Sequence, residues 1–227
     1  MKDRYGSQIH IHYPQDSKDE IAIMEQERIR FPDEDKLLVP DYMKEILGEI
    51  TGQARQSSEI NQRSGVSVRV SIANYEIMLG KAVRRSLINR EEWTCPRVSD
   101  LAYIVASFAG KIELETFEEG RESRVTDELA RRAILRVFGC YFDVDELESV
   151  VAAFDLGQTA VTGCDHSAAS YPAMVKKIEG MSAAVKKLTD DKRPEVVASA
   201  AEFILEGLHL SRKLNRDRSG GGYVYKR

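Results

Sequence analysis

Apolar residues recur along this chain mostly at intervals of three and four, so the pattern predicts helices. Met43, Ile46, Leu47, Ile50 and Ala54 fall on one face behind Pro40-Asp41. Ile72, Tyr75, Met78, Leu79, Ala82 and Val83 do the same behind a Gly/Ser-rich approach that ends in Ser67, a residue able to cap. A third stripe runs from Thr126 through Leu129, Ala133, Ile134, Val137 and Phe138. Toward the end, residues 171–188 carry Met174, Val175, Ile178, Met181 and Val185. Residues 194–214 carry Val196, Val197, Ala200, Ala201, Ile204, Leu205, Leu208 and Leu210, with Pro194 at a helix start, where its missing donor is not needed. Two long amphipathic helices with a short joint are expected to pack as an antiparallel pair.

Shorter segments fill the gaps. Ser17-Lys18-Asp19-Glu20 reads as a capping box opening a helix to about Ile29, stopped by Phe31-Pro32-Asp33. Ser99-Asp100 caps a helix through Leu101, Ile104, Val105 and Phe108 to Gly110, and Asp143-Val144-Asp145 caps another from Glu146 to about Phe154. Only Ile9-His10-Ile11-His12-Tyr13 alternates with period two, which predicts one short strand before Pro14. A lone strand has to pair elsewhere, and little else in the chain reads as strand. Residues 155–167 read as a linker or exposed loop, and residues 216–223 as a flexible end. The expected fold is mainly α.

Composition narrows the function classes. The 227 residues are 31% charged with a formal net charge of only -4, so no global field argues for nucleic acid or an acidic membrane. Arg131, Arg132 and Arg136 on the third stripe's outer face read as a solvated face, since no aromatics interleave them. No apolar run reaches transmembrane length, and the start lacks a signal peptide's apolar core, which predicts a cytoplasmic protein. Cys95, Cys140 and Cys164 are widely spaced and odd in number, so reduced thiols are expected rather than a disulfide framework or zinc site. Cys164-Asp165-His166 has ligand chemistry, but three adjacent residues with no second cluster do not complete a tetrahedral set. No metal site is predicted.

Candidate chemistry lies at the start of the second stripe. Arg69 stands where a helix begins, adding a cation to the positive end of the helix dipole, and the combination suits an anion. Arg55 and Arg63, in or next to the polar loop that delivers Arg69, are candidates to line the same site.

The run G-V-S-V-R followed by S-I-A-N-Y-E resembles the second-sensor arginine and helix in the lid of AAA+ ATPases related to magnesium-chelatase subunit I and the MoxR proteins. Asp3-Arg4-Tyr5 is similar to the D-R-[FY] box closing their nucleotide-binding core, and P-R-V-S-D-L, G-K-I-E-L-E and E-F-I-L-E-G-L-H-L extend the resemblance over essentially the whole chain. It implies Arg4 as an arginine finger reaching a neighbour's γ-phosphate and Arg69 as a second sensor. It also implies a helical AAA+ lid-type bundle, with residues 1–16 ending the core, 17–118 forming the lid and 119–227 an additional C-terminal helical region. The implied partners are an AAA+ core or neighbouring subunits in a ring-shaped homo-oligomer, and a von Willebrand factor A-type protein, with neither nucleic acid nor membrane. No G-x-x-x-x-G-K-[ST] occurs and no apolar strand ends in paired acids, so ATP and Mg2+ are expected only in a complete assembly. The alternative is a non-enzymatic helical interaction module on the same scaffold.

Overall fold

The computed structural model describes residues 9, 11–115 and 120–227. Among them it is mainly helical, with nine α-helices and one small sheet. The first three helices are α1 (Ser17–Glu27), α2 (Asp41–Gln56) and α3 (Val68–Asn89); α4 (Val105–Ala109) follows a 3-10 helix at Val98–Tyr103. Then come α5 (Arg121–Tyr141), α6 (Glu148–Asp155), α7 (Tyr171–Lys177), α8 (Met181–Leu188) and α9 (Pro194–Leu210).

The predicted stripes face inward. Met43, Ile46, Leu47, Ile50 and Ala54 of α2 are all buried, as are Tyr75, Met78, Leu79 and Ala82 of α3. Helix α1 packs on both, and α2 lies along α5, which packs on α9. Helix α9 is buried nearly all round, as expected of a helix surrounded by others. Around it, Phe203 stacks on Tyr42 with ring centroids 4.5 Å apart, and Phe138 and Tyr141 of α5 meet Phe203 edge-on. The apolar core runs without a break from Met24 to Tyr225. The expected boundary between 118 and 119 lies outside the described residues.

Four local expectations are corrected. Residues 9 and 11–13 form no strand, and Ile9 and Ile11 are 83% and 86% exposed, since among the described residues no strand lies beside them to supply ladder bonds. Strands occur instead at the other end, where β1 (Ala160–Gly163), β2 (Asn215–Ser219) and β3 (Gly222–Lys226) form an antiparallel sheet in the order β1-β3-β2. Part of the expected linker and the supposedly flexible tail therefore make one structure. Its anchor is Glu206 of α9, which accepts from Tyr225 Oη and Arg216 Nη1, each at 2.6 Å. The single helix expected over 171–188 is two, α7 and α8, split where Gly180 adopts φ +77 and a Cβ would collide with Ser149. Finally, the cap of α1 is Asp16, whose side chain accepts from the Asp19 amide, and Glu20 is buried with a different role.

The Pro96-to-Leu101 segment holds a cluster that the sequence pattern hides. Arg85, Glu91, Arg97 and Asp100 have side chains at most 2% exposed. Arg85 donates to Asp100 at 3.0 Å and to Glu91 at 2.7 Å; Arg97 donates to Glu91 at 2.7 Å and to the His166 carbonyl at 2.8 Å. Asp100 also accepts from the Arg97 amide. Burial pushes the Asp100 carboxyl upward, while Arg85 and these donors oppose that shift. Two cations and two anions thus neutralise one another where α3, the 3-10 helix and the loop into α7 meet.

Candidate functional site at the start of the third helix

Helix α3 begins without a cap. Ser67 occupies the N-cap position in extended conformation, but its side chain makes no capping bond, and the first turn contains no acidic residue. An uncapped first turn leaves backbone donors and the positive end of the dipole facing outward. Arg69 sits in that turn, exposed, and makes no ion pair or side-chain hydrogen bond among the described residues. Its neighbours Val66 and Val70 are buried, so the backbone on both sides is fixed while the guanidinium faces solvent.

The preceding loop is held at both ends. Asn61 N donates to the Glu113 carbonyl at 2.8 Å and Glu115 N to the Glu59 carbonyl at 3.0 Å, a short antiparallel bridge centred on Ile60 and Leu114. Gln62 Nε2 donates to the carbonyls of Ala54 and Ser57, and Ser64 Oγ donates to Glu113. Gly65 takes φ +72, turning the chain into Val66.

Arg55 does not line an anion site with Arg69. Its guanidinium donates to both oxygens of Glu20, at 2.9 and 3.0 Å, and through Nε to the Val66 carbonyl at 3.0 Å. It is a buttress that fixes the loop by joining α1 and α2 to it. Arg63 is exposed with no side-chain partner among the described residues, so Arg63 and Arg69 are the uncompensated cations of this region. Arg4 lies outside the described residues.

Sequence reasoning missed two participants. Glu20 reads as a capping residue at its position in the chain, yet it is only 2% exposed and also accepts from Ser71 Oγ on α3. Tyr13 reads as the end of a strand, yet its phenol oxygen accepts from the Val66 amide at 3.1 Å and its ring lies under Arg55. The only available signal was the aromatic before Pro14, which identifies no partner.

Among the described residues, no group of three or more His, Cys, Asp and Glu side chains converges as a metal site, and no helix is long and apolar enough to cross a membrane. No protein-family model, curated protein or solved structure matches this chain.

Proposed function

We propose that this chain is the C-terminal part of a magnesium-chelatase-like or MoxR-like AAA+ ATPase, working in the cytoplasm within a ring of like subunits. It supplies Arg69 as the second-sensor contact to ATP phosphate and Arg4 as the finger that acts on the phosphoryl group in transfer. A von Willebrand factor A-type protein is the proposed further partner. The observation that carries the reading is Arg69 itself: an exposed arginine without an ion pair or side-chain hydrogen bond among the described residues, on an uncapped helix start with no acid in its first turn, held by a braced loop. Such a start favours an anionic oxygen, and a planar, permanently charged fork suits phosphate better than lysine does. The magnesium ion and the phosphate cradle belong to a nucleotide-binding core, and this sequence contains no Walker A run to form one.

Supplying a P-loop core, fused ahead of Met1 or added as a partner chain, provides the test. Arg4→Ala should lower ATP turnover by about three to five orders of magnitude while leaving nucleotide affinity nearly unchanged, because a finger acts on charge that develops in the transition state. Turnover at the unsubstituted level would remove Arg4 from the reaction and favour the helical interaction module instead.

A further inference from the structure

The chain enters α1 past the loop that carries Arg69, and one side chain joins the two. Tyr13 Oη accepts from the Val66 amide at 3.1 Å, and a Cβ on Gly65 would lie only 2.4 Å from that same oxygen. Gly65 therefore leaves the space that the phenol occupies. Val66 is fully buried with the phenol in place, although Tyr13 itself is half exposed, so removing the phenol deprives the amide of its protein acceptor and opens it toward solvent. The other face of the contact is Arg55, whose guanidinium carbon stands 4.5 Å from the Tyr13 ring centroid. Arg55 is fixed in turn by Glu20 and the Val66 carbonyl, and Glu20 is bonded to Ser71 in α3. Tyr13, Arg55, Glu20, Ser71 and Val66 thus close a circuit from the segment before α1, through α2, to the first turns of α3.

We infer that Tyr13 is a positioning residue: a latch that makes residues 11–14 and the Arg69 loop a single conformational unit, so that the approach to α1 and the loop bearing Arg69 are set together. Tyrosine meets both needs of the contact, offering a ring for the guanidinium and an acceptor for the buried amide. Phenylalanine meets only the first. The consequence of the latch for ATP rests on the function proposed above, whereas the latch is defined by its contacts alone.

Hydrogen exchange on the full chain tests the latch. Tyr13→Phe and Tyr13→Ala should each speed exchange of the Val66 amide at least tenfold. Tyr13→Ala should also speed limited proteolysis within residues 11–14, which are held in place although mostly exposed, while amides of α3 from Leu79 onward keep their protection. Gly65→Ala, which displaces the phenol from the other side, should reproduce the Val66 effect. Unchanged Val66 exchange in both Tyr13 variants would overturn the latch. In an assembly completed with a P-loop core, Tyr13→Ala should raise KM for ATP and lower kcat together, with Tyr13→Phe restoring part of both; Arg4→Ala should lower kcat alone. Faster Val66 exchange with unchanged kinetics overturns the positioning role. If the Arg4 and Arg69 variants are themselves silent, the kinetic consequence falls with the functional assignment, and Val66 exchange still decides the latch.

Discussion

Removing Asp100 tests whether the buried charge cluster holds the fold together. Asp100→Ala deletes a side chain with no solvent exposure, together with its contacts to Arg85 at 3.0, 3.3 and 3.4 Å and to the Arg97 amide at 2.9 Å. Arg85 keeps Glu91 and the Cys95 carbonyl, each at 2.7 Å, but the cluster changes from two cations against two anions to two against one. Breaking a buried pair by removing one partner typically costs about 3–5 kcal/mol, because the remaining charge stays out of water. Against a typical folding stability of about 5–15 kcal/mol, that is a large fraction. At about 2–4 °C per kcal/mol for a chain of this size, the midpoint should fall by about 6–20 °C. Helical circular dichroism measures the cost by urea unfolding and the midpoint shift by thermal unfolding. Asp100→Asn, which keeps the volume, should also destabilise, and pairing Arg85→Met with Asp100→Leu should recover part of the loss by removing both charges. A cost below about 1 kcal/mol for Asp100→Ala would refute the reasoning, since that is the range of an exposed pair.

The remaining predictions concern pH and the division of labour between the arginines. The Arg28 guanidinium, bonded to both oxygens of Glu34 at 2.6 and 2.7 Å, holds that carboxyl down at about 2. A depressed folded value stabilises above the unfolded pKa of 4.5 and is lost as pH falls toward 2. Because Glu34 retains 30% side-chain exposure, solvent screening reduces the contribution to about 1–2 kcal/mol. Glu34→Gln should therefore lower stability at pH 7 and flatten its dependence between those two pH values; an unaltered acid profile would contradict the assignment. Mixing Arg4→Ala and Arg69→Ala chains in one completed assembly should recover part of the turnover if the finger acts on a neighbour's site, and none if both act on their own subunit.

The long helices were legible from their apolar stripes: every apolar position named on α2 is in the core, and Pro194 does start α9, although α9 is buried nearly all round rather than on its stripe alone. The cluster around Arg97 was not, because Arg, Glu and Asp are ordinarily surface residues and spacing does not show that four of them converge. The hairpin carried a signal that composition obscured. Gly220-Gly221 is a two-residue turn between paired strands, but a Gly-rich end reads equally well as flexible chain. The break at Gly180 interrupts a helical stripe whose apolar periodicity continues across it. At the candidate site, the place of Arg69 at a helix start followed from local pattern alone. Its support did not, since Tyr13 and Glu20 reach it across 53 and 51 residues, to Val66 and Ser71 respectively. Local periodicity locates a helix end; only the fold reveals what braces it.

If Arg69 contacts ATP phosphate as proposed, nucleotide affinity depends on its guanidinium. With a P-loop core supplied, ATP binding to the unsubstituted assembly and to Arg69→Ala would be compared by calorimetry at low ionic strength, where an exposed arginine is least screened. A charge-assisted phosphate contact contributes about 1.5–3 kcal/mol, so Arg69→Ala should weaken binding by about 10- to 150-fold. Affinity unchanged within twofold would contradict the account and leave Arg69 an ordinary solvated side chain.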